Sequence, residues 1–242
     1  MRIYYLHGNL QSFDVWAPII DQLSKFRPEL SHSPVNLYQR RYHGFDDWTE
    51  DFCHRVESEA NGENSLLLGY SLGGRLALHA CLARPELWKG AVIVSADPAS
   101  NTSEVRNLQL QKDLNWANRF QTQSIDRIIS EWDALPVFCG IANSAPRRLK
   151  SIEPDSLGHL FDVFSKGRQR DLLLEIEKVR ELPILYVSGE LDHRYYEISQ
   201  RITRFSEFFQ HSVVPCAGHR VPWEQTDVFC ATLLRFLKTL IP

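Results

Sequence analysis

The sequence lacks long apolar runs, a strong net charge and any cysteine-rich pattern. No stretch of its 242 residues approaches the roughly eighteen apolar residues of a membrane-spanning helix, so we expect no membrane segment. Lys and Arg total 27 and Asp and Glu total 30, which gives a formal net charge of −3. That balance excludes a global positive field, and we expect neither nucleic acid nor a membrane surface as a partner.

The five cysteines are widely spaced, and none forms a C-x-x-C pair. We therefore expect neither a disulfide framework nor a zinc knuckle. The spacing of the histidines predicts no metal site, and no phosphate-binding glycine motif follows a strand, so no cofactor is expected. The N-terminal residues turn polar too soon for a signal peptide. The simplest expectation is a cytoplasmic protein.

Strand-like and helix-like hydrophobic patterns alternate along most of the chain. Arg2–Leu6 and Val35–Tyr42 are typical of strands, and helical spacing follows each of them. This alternation predicts an α/β fold with a mostly parallel sheet and helices on both faces. Between about residues 98 and 180 the alternation stops and helical patterns dominate. We therefore expect one structural domain, with residues 1–97 and 181–242 as its core and residues 98–180 as an inserted helical cap.

Residues 69–73 form the motif G-x-S-x-G, with Ser71 at its centre. An apolar strand precedes the motif and a helix pattern follows it, which is the context that a nucleophilic serine on a strand-to-helix turn requires. Small neighbours allow the strained turn to form. The helix that follows points its free N–H groups at charge developing near the serine. The sequence thus predicts Ser71 as a nucleophile.

This motif resembles that of the α/β-hydrolase superfamily, in which an acid and then a histidine follow the serine. Asp192 follows a predicted strand in a G-x-x-D motif, and His219 follows the next strand in a Gly-His motif. His219 would take the proton of Ser71, and Asp192 would orient the imidazole. Glu190 is a rival acid, but Asp192 lies further into the loop, where its side chain can turn toward the histidine.

The segment Leu6-His7-Gly8-Asn9 resembles the first oxyanion-hole segment of that superfamily. The resemblance assigns the hole to the backbone N–H groups of Asn9 and Leu72. It assigns His7 to bracing the loop and not to catalysis.

Two stretches of the predicted cap, 113–120 and 131–138, narrow the resemblance when taken with residues 69–75. Together they resemble the 2-succinyl-6-hydroxy-2,4-cyclohexadiene-1-carboxylate synthase family of the menaquinone/phylloquinone pathway. The resemblance implies a lyase in which the triad removes a proton and pyruvate is eliminated. It also implies a small anionic substrate with several carboxylates, bound by planar arginines.

The resemblance implies that Tyr70, Arg75 and Trp132 bind the substrate. A further arginine of the family's first cap helix aligns here with Gln109, and Arg106 lies one turn earlier.

A second cap arginine of the family falls in a basic stretch, where Arg147, Arg148 and Lys150 are the candidates. Between residues 147 and 170, six Lys and Arg residues stand against three acids. We therefore expect a local positive charge on the cap, above the serine.

A carboxylesterase or thioesterase with an acyl-Ser71 intermediate is the main alternative, and Gln109 in place of arginine favours it. A non-catalytic binding protein with this fold is a third hypothesis. The intact set of Ser71, Asp192 and His219 argues against it, because a receptor needs no proton relay.

Overall fold

The computed structural model describes residues 1–59, 65–98, 102–176, 179, 181–204 and 208–240. Within them, six parallel strands form one sheet, in the order β2-β1-β3-β4-β5-β6. The strands are β1 (Arg2–Leu6), β2 (Ser31–Val35), β3 (Ser65–Tyr70), β4 (Trp88–Val94), β5 (Ile184–Gly189) and β6 (Phe209–Val214). The α-helices are α1 (Ala17–Phe26), α2 (Phe45–Glu59), α3 (Leu72–Ala83), α4 (Ser103–Arg119), α5 (Ile125–Asp133), α6 (Pro154–Val163), α7 (Leu173–Ile176), α8 (His193–Ile202), α9 (Val221–Glu224) and α10 (Thr226–Leu240).

Helices cover both faces of the sheet, as the alternating pattern predicted. In β1, Ile3 and Tyr5 face the cluster that contains residues of α1 and α10, whereas Tyr4 and Leu6 face the cluster built with α2, α3 and α8. Successive side chains of a strand point to opposite faces, so a strand buried on both sides must be apolar throughout. The predicted α/β fold with a parallel sheet is therefore confirmed.

The prediction of a strand at Val35–Tyr42 was wrong. The strand that forms is β2, which ends at Val35. It lies at the edge of the sheet and contains Pro34, which edge strands tolerate because one side of the backbone needs no partner. The apolar side chains that suggested a strand, among them Leu37 and Tyr42, are instead buried from a loop that packs on the core.

The segment between β4 and β5 contains α4, α5, α6 and α7 and, among its described residues, no strand. Residue 180, where the predicted cap ends, lies outside the described residues. The segment has a hydrophobic cluster of its own, made largely of Phe120, Ile128, Leu157 and Phe161, and α4 packs against α6. In the part of the chain that the structure describes, no helix is both long and apolar enough to cross a membrane.

Glycines allow the turn after β3 to pack directly against β1. A Cβ atom on Gly73 would lie 2.2 Å from the carbonyl oxygen of Leu6, and one on Gly69 would lie 2.3 Å from the carbonyl oxygen of Gly73. Both contacts are with backbone, which has little freedom to move. The first turn of α3 and the end of β1 can therefore approach only because these positions have no side chain.

We expect Gly73→Ala to lower the free energy of unfolding by about 3 kcal/mol, since the new methyl group would force β1 and α3 apart. Chemical denaturation followed by circular dichroism measures the change. Gly44→Ala is the matched control, because a Cβ there meets no atom within 4 Å. We expect the control to stay within about 0.5 kcal/mol of the parent. Equal stability of the two variants would contradict the close-packing argument.

Candidate active site

Ser71 lies in a strained turn between β3 and α3. Its backbone has φ of 51° and ψ of −109°, a region that residues with a side chain rarely adopt. Its N–H donates a hydrogen bond to the carbonyl oxygen of Val94, at 2.9 Å, which ties the turn to the end of β4. The glycine contacts described above hold the turn from the other side. The strained geometry presents the hydroxyl above the carboxyl edge of the sheet.

The structure brings Ser71, His219 and Asp192 into one hydrogen-bonded chain. His219 Nε2 lies 3.3 Å from Ser71 Oγ, and His219 Nδ1 lies 2.7 Å from Asp192 Oδ2. The side chains of His219 and Asp192 are each 4% exposed, so little water competes for their hydrogen bond. Ser71 follows β3, Asp192 follows β5 and His219 follows β6, and the carboxyl ends of these strands lie at one edge of the sheet. This arrangement can pass a proton from the serine to the imidazole.

The two candidate acids occupy different places. Asp192 contacts His219, whereas Glu190 accepts a hydrogen bond from the N–H of Cys216, at 2.9 Å. A second glutamate, Glu224, accepts hydrogen bonds from the backbone N–H groups on either side of His219. Glu190 and Glu224 therefore fix the loop that carries the histidine.

Aromatic rings surround the imidazole of His219. Ring centroids lie 4.6 Å away for Tyr195, 5.5 Å for Tyr70 and 5.8 Å for Phe138. Burial raises the pKa of both Tyr70 and Tyr195 far above the ordinary value. Both phenols stay neutral, so they exclude water from the histidine without adding charge.

The predicted oxyanion segment lies beside the serine. Leu72 is the first residue of α3, so its N–H has no acceptor within the helix. Asn9 lines the same cavity as Ser71. His7 is fully buried, and its ring bridges the carbonyl oxygen of Gly8, at 2.9 Å, and the N–H of Leu37, at 3.5 Å. Burial lowers the pKa of His7 to about 4, so this residue braces the loop as a neutral imidazole.

A cavity of about 270 Å³ lies above Ser71, between the strand ends and the cap. This volume is near the lower end of the range for small-molecule sites. Aromatic side chains of the cap form one wall, and Trp132 packs edge-on against both Trp116 and Phe161. Trp132 and Tyr70 line the cavity, where the resemblance placed them.

The rest of the lining is strongly positive. Among the described residues that line the cavity, six are cationic and two, Asp97 and Asp113, are acidic. The cationic residues are Arg75, Lys112, Arg147, Lys166, Arg194 and Arg220. Lys166 and Arg194 both contact Asp97, at 2.5 and 3.4 Å. The chain as a whole is slightly acidic, yet this cavity is suited to an anion.

Arg75 is buried, at 5% exposure, and joins α3 to the cap. Its guanidinium donates hydrogen bonds to the side-chain oxygen of Gln169, at 3.0 Å, and to the carbonyl oxygen of Phe164, at 2.8 Å. The guanidinium also lies over the ring of Phe45. Arg75 therefore lines the cavity and also holds the cap on the core.

The three cap residues that the sequence offered as a substrate-binding cation lie in different places. Arg147 lines the cavity and makes two hydrogen bonds to Asp133, at 2.8 and 2.9 Å. Arg148, its neighbour, does not reach the cavity: it is 80% exposed and pairs with Asp14 at 3.3 Å. Lys150 is exposed. Of the six Lys and Arg residues between residues 147 and 170, only Arg147 and Lys166 line the cavity. Less of the positive charge of this segment therefore lies above Ser71 than the sequence suggested.

Gln109 and Arg106 lie at the outer side of the site. Gln109 lines the cavity, and its amide donates a hydrogen bond to Asp113 at 2.9 Å. Arg106 is exposed and does not reach the cavity of Ser71; it lines a neighbouring surface depression.

Sequence reasoning assigned no substrate-binding role to four cations of the lining: Lys112, Lys166, Arg194 and Arg220. Two of them had a usable signal, since Arg194 and Arg220 follow Asp192 and His219 closely in the sequence. Lys166 had no such signal, because its place depends on how the cap folds. Among the described residues, no group of three or more histidine, cysteine or acidic side chains is arranged to hold a metal ion.

A family model described as the alpha/beta hydrolase family matches residues 3–232 of the chain. The chain belongs to the alpha/beta hydrolase family. A putative 2-succinyl-6-hydroxy-2,4-cyclohexadiene-1-carboxylate synthase from Haemophilus influenzae is 28% identical, over 95% of this chain and 94% of that protein. Among solved structures, MenH from S. aureus matches all of this chain and 95% of its own, with a TM-score of 0.86 and 18% identity.

A malate-bound thermophilic esterase from Thermogutta terrifontis also matches, with a TM-score of 0.80 and 16% identity, over all of this chain and 91% of its own. At such identities these structural likenesses show the fold alone. Family membership, together with the relative named as a synthase, supports the assignment of this chain as an alpha/beta hydrolase enzyme.

Asp192→Asn should slow the reaction of Ser71 with a fluorophosphonate by about 10³- to 10⁴-fold, because an amide no longer holds His219 in the required tautomer. The rate of covalent labelling, followed by mass spectrometry, measures the effect. Glu190→Gln is the control, since glutamine can still accept the hydrogen bond from Cys216. A control as slow as Asp192→Asn would show that Glu190 is the working acid.

Proposed function

We propose that this alpha/beta hydrolase is a cytoplasmic lyase of menaquinone/phylloquinone biosynthesis. It would eliminate pyruvate from 2-succinyl-5-enolpyruvyl-6-hydroxy-3-cyclohexene-1-carboxylate to give 2-succinyl-6-hydroxy-2,4-cyclohexadiene-1-carboxylate. The observation that carries this proposal is the hydrogen-bonded set of Ser71, His219 and Asp192 at the floor of a small cavity whose charged lining residues are mostly cations. The synthase relative, similar over nearly its whole length, supports the same reaction.

In the proposed reaction Ser71 and His219 act together as a base. His219 accepts the hydroxyl proton while the serine oxygen takes a proton from a ring carbon of the substrate. The electron pair of that C–H bond, at C2, forms the C2–C3 double bond, the original C3–C4 double bond moves to C4–C5, and the bond from C5 to the enolpyruvyl oxygen breaks. The leaving group becomes pyruvate on gaining a proton. Asp192 stabilises the imidazolium, and the N–H groups of Asn9 and Leu72 face the developing oxyanion.

The positive lining supplies what such a substrate requires. Its carboxylates would lose hydration inside the cavity, and charge-assisted hydrogen bonds worth about 1.5–3 kcal/mol each would offset that loss. Arginine suits this task because its planar guanidinium matches a carboxylate. We assign Arg75 and Arg147 to the lining that binds or orients the substrate, with Tyr70 and Trp132 packing against its ring. Arg106 and Arg148 take no part in this assignment.

A carboxylesterase or thioesterase is the second candidate. It is favoured by Gln109, which is bound to Asp113 and adds no positive charge, and by the aromatic wall of the cavity, which could accept an apolar acyl group. In that reaction Ser71 would attack a carbonyl carbon and form an acyl-enzyme. Both reactions need a reactive serine, so only the substrate separates them.

We expect the parent enzyme to release one pyruvate per molecule of the 2-succinyl-5-enolpyruvyl precursor, measured by coupling to lactate dehydrogenase and NADH. Ser71→Ala should lower the rate on the order of 10³-fold, because the base is lost. Ser103→Ala, at the exposed start of α4, is the matched control and should keep the parent rate.

Pyruvate release by Ser71→Ala at the parent rate would overturn the proposed role of the serine. A parent enzyme that releases no pyruvate but forms an acyl-enzyme with activated esters would favour the second candidate.

A further inference from the structure

Arg220 is a buried cation beside the proton-relay histidine. It follows His219 in the chain, lines the cavity and is 2% exposed. Its guanidinium carbon lies 3.5 Å from the ring centroid of Phe138, so the aromatic face covers one side of the group. Burial lowers the pKa of Arg220 below its ordinary value, yet arginine remains charged at any physiological pH.

One donor nitrogen of Arg220 has no partner. Nη2 donates to Asp133, whereas Nη1 is buried and finds no acceptor among the described residues. A buried charged donor without an acceptor is costly, and such groups are rare unless a ligand completes them. The unpaired nitrogen belongs to a residue that lines the cavity of Ser71.

Arg220 shares its carboxylate partner with a second arginine. Asp133 is its carboxylate partner, and Asp133 is also held by two hydrogen bonds from Arg147. Although burial raises the pKa of Asp133, the hydrogen bonds and charges of the two arginines bring it below the ordinary value, so the group is ionised. Arg147 is further tied by its Nε to the carbonyl oxygen of Leu10. Two guanidinium groups thus share one carboxylate, and these three side chains together carry a net charge of about +1. Glu224 is also near Arg220, but its carboxylate is bound to the backbone N–H groups of Gly218 and Arg220 and not to the guanidinium.

We propose that Arg220 binds a carboxylate of the substrate through Nη1, next to His219, and that Arg147 and Asp133 hold its guanidinium in place. The ligand class is a small dicarboxylate or larger polycarboxylate with one carboxylate close to Ser71. This inference rests on the proposed function, because the substrate proposed there carries several carboxylates. The inference adds Arg220 as the residue that would orient one of these carboxylates close to Ser71.

The test uses protection of Ser71 from fluorophosphonate labelling by succinate, with succinamide as an uncharged probe of similar shape. Protection is expressed relative to the labelling rate of each variant without ligand, so that a change in serine reactivity does not enter. Arg220→Gln should raise the half-protecting concentration of succinate by about 10- to 100-fold, the value of a charge-assisted hydrogen bond. Protection by succinamide should change less than twofold.

Two further variants complete the test. Arg220→Lys keeps a charge and should restore part of the protection by succinate, which a purely structural role would not predict. Arg148→Gln removes an arginine outside the cavity and should match the parent. Thermal unfolding of every variant shows whether it is folded, and Arg220→Lys serves as the test variant if Arg220→Gln is not.

Equal protection of the parent and of the folded Arg220 variant by succinate would overturn the inference, as would absence of protection in the parent. Failure of the proposed function would give a different experimental result from failure of this inference. An enzyme that releases no pyruvate from the precursor, yet loses succinate protection in Arg220→Gln, would retain the anion site and lose only the assigned reaction.

Discussion

The close approach of α3 to the end of β1 is the constraint on which the site depends. Because Gly73 lies against the backbone of Leu6, the turn that carries Ser71 is pressed against the loop that carries Asn9. The strained φ of Ser71 follows from that packing. One contact between backbones therefore places Ser71, the proposed nucleophile, and both proposed oxyanion donors in the same small volume, before any side chain outside the turn contributes.

Sheet order explains the remaining distances. β5 and β6 are neighbours, so Asp192 and His219 begin from adjacent strand ends and meet easily. β3 is separated from β6 by two strands, which is about 14 Å at ordinary strand spacing, so the histidine loop must cross that gap to reach Ser71. Glu190 and Glu224 bind the backbone of that loop on both sides of His219. These hydrogen bonds hold the loop in one position, because an imidazole displaced by 1 Å would no longer form a hydrogen bond with Ser71.

Sequence reasoning could predict the parts of the site that depend on local chemistry. The serine turn, Asp192 and His219 each follow a strand in a recognisable motif, and parallel strands bring such ends together. It could not separate Arg147 from Arg148, since adjacent residues in a loop differ only in the direction their side chains take. Lys166 contacts Asp97 across 69 residues of chain, a pairing set by the folding of the cap. The sequence did not predict the edge strand β2, because a strand that is partly exposed needs no apolar pattern.

The cavity uses one electrostatic arrangement twice. Asp133 is shared by Arg147 and Arg220, and Asp97 by Lys166 and Arg194. A single carboxylate between two cations orients both of them and leaves positive charge over, which a one-to-one ion pair would not. An anion that enters completes the charge balance, and its binding free energy adds to the stability of the folded enzyme. The same serine, histidine and acid serve hydrolases and lyases alike. In the proposed function, the position of the surplus positive charge would direct this chain toward a polycarboxylate, because that position would decide which bond of the substrate lies beside Ser71.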